Sequence, residues 1–194
     1  MKMRFAAVML LVLAACSKDL DDGKAAPPPP PAPMADSPVP APADSVWILD
    51  ANGVGPVRVG MDVASLAAAV PGGLRETAKL EPECALLFPR TGPRGLSLML
   101  VERRVVRVQA RDSSTRVATA LGARVGDSEA RVRQLYPGAR VQPHKYVESG
   151  HYLVVIPGAP ADTLHRIVFE TDGKVVTEMR GGVFPPVEWV EGCS

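Results

Sequence analysis

Two stretches of this chain, 66 residues apart, carry the same punctuation, and that echo constrains its fold more than any other feature. "VRVGMDVASLAAAVPGG" begins at Val57 and "ARVGDSEARVRQLYPGA" at Ala123, which sets Gly60 against Gly126, Pro71 against Pro137 and Gly72 against Gly138. In each, a β-like end passes through glycine to a residue able to cap a helix, Asp62 in the first and Asp127 or Ser128 in the second. A short amphipathic helix follows. Its apolar stripe is Val63, Leu66, Ala67 and Val70 in the first stretch, and Val132, Leu135 and Tyr136 in the second. Pro-Gly stops each helix, because proline cannot continue it and glycine tolerates the turn. What comes next also matches. "CALLF", "LSLMLV" and "VVRVQA" follow the first helix, and "HYLVVI", "HRIVFE" and "KVVTEMR" the second, with Thr171-Asp172-Gly173-Lys174 as a hairpin turn. The predicted fold class is α+β: two short-helix-plus-antiparallel-meander repeats, 45–112 and 113–194, forming one domain with its helices on one face of an antiparallel sheet.

The residues before the domain set its location. "MKMRFAAVMLLVLAAC" has a positive start in Lys2 and Arg4, then a short apolar run from Phe5 to Leu13. This is the layout of a bacterial secretion signal, and the run is too short to span a bilayer stably. Leu13-Ala14-Ala15-Cys16 resembles the lipobox of bacterial lipoproteins, where cleavage precedes a cysteine whose thiol carries a diacylglycerol. That resemblance implies a signal peptide over 1–15 and a membrane anchor on lipidated Cys16, since acyl chains contribute about 0.8 kcal/mol per buried methylene. An aspartate after the cysteine would, by similarity to the enterobacterial sorting rule, hold the protein in the inner membrane. Ser17 stands there instead and favours the periplasmic face of the outer membrane. From 16 to 44 the chain has no apolar periodicity, and nine of its twenty prolines fall between Pro27 and Pro42. Proline fixes φ and removes amide donors, so this stretch reads as a disordered, semi-rigid spacer reaching up to about 80 Å.

Residues 45–194 are long enough for one domain with a real core. With Cys16 assigned to lipidation, Cys84 and Cys193 remain as a pair in an oxidising compartment, which predicts a disulfide fastening the end of the chain. Free buried thiols are the alternative; a redox pair lacks the Cys-x-x-Cys spacing. Chemistry is sparse. His144, His151 and His165 have no zincin spacing, so no metal or cofactor is expected. Glu148, Ser149 and His151, with His144 nearby, are the sole hint of an envelope hydrolase or glycan-modifying enzyme, and a hairpin turn gives the same composition. "GPRG" lacks the Lys-Ser/Thr of a phosphate loop.

Charge is uneven. Residues 103–140 hold nine arginines against Asp112, Asp127 and Glu129. Arg103, Arg104, Arg107 and Arg111 therefore form a candidate anion-binding surface for an anionic glycan or an acidic envelope protein. The competing reading puts Arg107 and Arg111 on the solvent side of a strand whose Val106 and Val108 face inward, their charge balanced by the acidic C-terminal half. Nucleic acid is excluded by compartment.

The glycine-led "VGMD" and "VGDS", each with a helix and meander, resemble small bacterial lipoproteins of the SmpA/OmlA type and the repeats of beta-lactamase-inhibitory protein. "HKYVESGHYLVV" and the final "VEGC" are similar to uncharacterised proteobacterial lipoproteins. These resemblances imply a non-catalytic, envelope-anchored domain that binds a protein or an envelope polymer.

Overall fold

The computed structural model describes residues 45–76, 83–113, 116–158 and 160–193, all within the unit Pro40–Ser194. The expected signal peptide, Cys16 and the Pro-rich linker lie outside the described residues. Strands β1 (Trp47–Asp50), β2 (Gly53–Val54) and β3 (Val57–Arg58) come first. Helix α1 (Val63–Ala69) leads into β4 (Leu74–Glu76), β5 (Ala85–Pro89), β6 (Leu96–Val101) and β7 (Arg104–Ala110). After β8 (Val117–Thr119), helix α2 (Glu129–Leu135) leads into β9 (Arg140–Pro143), β10 (His151–Val155), β11 (His165–Thr171) and β12 (Val176–Val183). A 3-10 turn at Pro186–Glu188 follows. The result is a sheet-rich α+β fold with two short helices.

The strands form two sheets. The larger runs β4-β5-β6-β7-β12-β11-β10-β9, antiparallel throughout, so the two meanders meet at β7 and β12 in mirror order. The smaller runs β3-β2-β1-β8, with β1 and β8 parallel. Each helix is fastened to its own meander in the same way. Gly60 N–H donates to Val105 O at 2.7 Å, and Val105 N–H to Met61 O at 2.9 Å; the Gly126–Val176 and Val176–Asp127 bonds repeat this at 2.8 and 2.9 Å. Asp62 caps α1 by accepting from Ser65 N–H, and Ser128 caps α2 by accepting from Arg131 N–H. Within the α1 stripe Leu66 and Val70 are buried, but Ala67 is exposed, because seven helical residues turn only a narrow face inward.

The main core lies between one face of the large sheet and a layer made of both helices and the small sheet. Leu98, Val108, Leu153, Phe169 and Met179 pack with Leu66, Val132 and Leu49. At Gly181 the small sheet comes so close that a Cβ would collide with the Asp50 carbonyl. Gly181→Ala should cost about 1–3 kcal/mol by overpacking, read as a lower urea midpoint at unchanged slope.

β7 departs from simple alternation. Met99 pairs with Arg107 but Leu100 with Val105, leaving Val106 as a β-bulge. Val105 and Val108 both turn into the core, and the expectation that Val106 and Val108 share the inner face is corrected on this ground. The β6–β7 hairpin turns through Glu102 and Arg103, both with positive φ (50° and 60°). Such a turn suits Asn-Gly, so Glu102→Asn with Arg103→Gly should raise stability by about 1–2 kcal/mol in chemical denaturation.

Candidate functional site

The large sheet has a second face, pointing away from the main core, and its side chains stand in rows fixed by register. Leu86, Met99, Arg107, Gly182 and Arg166 form one row; Ser97, Gln109, Arg180, Val168 and Val154 the next. A third runs through Glu178, Glu170, Tyr152 and Gln142. The C-terminal segment lies across this face, with Val187 fully buried in a second apolar cluster of Tyr152, Val154 and Val168. Glu188 pairs with Arg166, while Trp189 is exposed. The C-terminus thus covers the sheet as a strap. Val187, and not Trp189, is the residue the 3-10 turn directs inward.

Beneath and beside the strap lies a lattice of charge. Arg180 is buried and donates to Glu178 and Glu170; Arg111 also donates to Glu178, and His144 Nε2 donates to Glu170 at 3.1 Å. His144 Nδ1 accepts from the backbone N–H groups of Tyr146 and Val147, which assigns its proton to Nε2. Its ring stacks on Tyr152 at 4.7 Å. Arg107, 1% exposed, donates to Trp189 O at 2.7 Å, Pro186 O at 3.3 Å and Gln109 Oε1. Burial, with Arg180 nearby, lowers its pKa to about 10.

At the end of the face nearest the β5–β6 loop the strap gives way to an open groove of about 590 Å³. Arg75, Arg90, Arg94 and Arg111 line it against Asp112, the one carboxylate among its described lining residues. Arg75 lies over the Phe88 ring at 5.0 Å, and Arg90 Nε donates to Leu74 O at 2.8 Å. Ser97 and Gln109, both buried, line it from the sheet. Guanidinium groups match carboxylate and phosphate geometry with paired donors, and here they stand around a partly apolar floor. Such a lining can offer paired donors to an anionic group. Among the described residues no histidine or cysteine lines it.

The structure redistributes the residues singled out in the sequence. The four arginines do not make one surface. Arg103 and Arg104 sit at one end of β7, where Arg104 Nη1 donates to Gly60 O at 2.9 Å, and Arg111 follows the other end. Arg107 is neither on a binding surface nor on a solvent face, since the strap covers it. Of the four, Arg111 alone reaches the groove, where it joins Arg75, Arg90 and Arg94; the "FPRTGPRG" loop carries a sequence signal for Arg90 and Arg94, and Arg75 has none. The residues of the hydrolase reading face different partners. Ser149 Oγ donates to Asp172 O at 2.9 Å, and His151 Nδ1 lies 2.9 Å from Glu129 Oε2. No hydrogen bond joins Ser149 to His144 or His151. His165 Nδ1 meets Asp162 at 2.7 Å. Among the described residues no group of three His, Cys, Asp or Glu gathers as metal ligands. Cys84 and Cys193 are bonded, with their Cα atoms 5.4 Å apart.

Glu129, in the first turn of α2, sets an acid limit on stability. Burial pushes its carboxyl up, but hydrogen bonds from Thr171, His151 and Arg133 outweigh this and hold it below the ordinary value of 4.5. A carboxyl depressed on folding contributes stability that is present above its unfolded pKa and lost as pH falls through the folded value. Unfolding free energy should therefore decline as pH drops below about 4.5, and Glu129→Gln should flatten that decline in pH-dependent denaturation.

Neither a family model nor a curated protein sequence matches this chain. Among solved structures, that of the uncharacterized protein yfeY from Escherichia coli is similar, with a TM-score of 0.45 and 13% identity over 70% of this chain and 99% of that one.

Proposed function

We propose that this protein is an envelope lipoprotein, anchored through acylated Cys16 to the periplasmic face of the outer membrane, whose non-catalytic domain binds an anionic glycan. The observation that carries this reading is the groove over β4 to β7, where Arg75, Arg90, Arg94 and Arg111 gather, Arg111 paired with Glu178 and Asp112 the one carboxylate among the described lining residues. Arg94 has no carboxylate partner among the described residues, so its charge is available to a ligand. The Pro-rich linker lets the domain stand off from the membrane and reach a polymer at a distance. An origin by internal duplication belongs to the same reading. It is supported by the mirror order of the two meanders and by the matching Gly60–Val105 and Gly126–Val176 bonds.

The test is binding of the full-length protein to polygalacturonate, with neutral dextran as control. Binding should weaken with salt, and Arg90→Glu combined with Arg94→Glu should reduce affinity about tenfold without changing the fold. Equal affinity for dextran, or an unaffected double variant, would overturn the assignment of the groove.

A further inference from the structure

The groove borders the strap, and the strap's hold on the sheet has two unlike parts. Val187 is fully buried and Glu188 is paired with Arg166, so the 3-10 turn is firmly seated. The end beyond Val190 is tied by Glu191 to Lys145 and Tyr146 and by the Cys193 bridge to Cys84, next to β5. Under that end lies Arg107. Its Nε has no partner, Gly192 packs so close that a Cβ there would come 3.3 Å from Nη2, and no carboxylate pairs with it among the described residues. A buried cation needs partners for its donors, and here the strap's carbonyls from Pro186 and Trp189 accept from Nη1 while Nε stays unmet. Arg107 also stands next to the groove. Its Nη2 donates to Gln109, which lines the groove, and its row includes Leu86, which lines it as well.

We propose that the strap end, residues 189–193, is a thiol-controlled cover. With Cys84–Cys193 closed, the strap lies over Arg107 and its backbone carbonyls occupy Nη1. With the bridge opened, the end swings about Val187 and the groove extends onto Arg107, which then takes an anionic group of the same glycan. This rests on the groove being an anionic-glycan site. A dithiol opens the bridge by exchange: its thiolate attacks one cysteine sulfur, its second thiol resolves the mixed disulfide, and two electrons and two protons pass to Cys84 and Cys193 as the reagent leaves as its own disulfide.

The experiment compares the full-length protein oxidised, reduced with dithiothreitol, as Cys193→Ser, and with a short Gly-Ser insertion between Val190 and Glu191. The insertion loosens the cover while keeping the bridge, so a folding defect in Cys193→Ser does not decide the outcome. The first readout is phenylglyoxal labelling of Arg107 by mass spectrometry, with exposed Arg94 as internal reference. The second is affinity for polygalacturonate. Opening the cover by any of the three routes should raise Arg107 labelling at least about fivefold and affinity about threefold or more. Arg107 equally protected in all four forms would overturn the cover while leaving binding by the oxidised groove intact. Arg107 labelled on opening, with no form binding polygalacturonate, would overturn the glycan site and the gating with it.

Discussion

Replacing either Cys84 or Cys193 by serine should lower the stability of the domain by about 2–5 kcal/mol, with the double replacement no worse than either single one. The two positions are separated by 109 residues, so the bridge closes a loop spanning most of the domain. In the chain-entropy account a loop of that length restricts the unfolded chain by about 4.7 kcal/mol. The native state adds a local term, since freeing Cys193 also loosens the carbonyl of Trp189 that satisfies buried Arg107. Val187 limits the damage, because it is buried independently of the bridge and keeps the first part of the strap in place. Urea unfolding of the mature protein checks this directly. A loss below about 1 kcal/mol, or additive losses in the double variant, would mean that Val187 and the ion pairs alone hold the strap.

The elements legible in the sequence were those whose signal is local. "LSLMLV", "HYLVVI" and "HRIVFE" are apolar and β-branched runs bounded by turn residues, and they became β6, β10 and β11 almost to the residue. Asp62 and Ser128 announced two helices because a cap is a property of a few neighbours. The small sheet was not legible, since β2 and β3 have two residues each and β1 finds its parallel partner only after another seventy positions of chain. Arg107 departs from the alternation for a physical reason. Alternation along β7 assigns it to solvent only if one face of the sheet is bare, and a strap 79 to 82 residues further on covers that face. The groove likewise has no local signal. Arg75 joins Arg90, Arg94 and Arg111 because β4 pairs with β5, a relation that no spacing in the sequence expresses.

Arg180→Met should cost about 3–5 kcal/mol, the second of the two largest effects, and the reason lies in the register of β11 and β12. Glu170 and Glu178 stand directly opposite each other across that strand pair, where two carboxylates repel. Arg180, buried two residues along, donates to both, and its guanidinium lies 5.8 Å from the centre of the Tyr152 ring. Methionine fills much of the same volume, so the loss would come from charge rather than from a cavity. Arg111 still reaches Glu178 and His144 still reaches Glu170, but neither spans the pair. Neutralising the acids along with the cation separates a structural need for this lattice from a mere tolerance of it. Arg180→Met with Glu170→Gln and Glu178→Gln should recover most of the loss, because a buried ion network removed as a whole is often neutral where removal of one member is not. Chemical denaturation of the single and triple variants decides between them. If the triple variant is no more stable than Arg180→Met alone, the lattice contributes through directed hydrogen bonds that amides fail to replace, and balance of charge is not what holds β11 against β12.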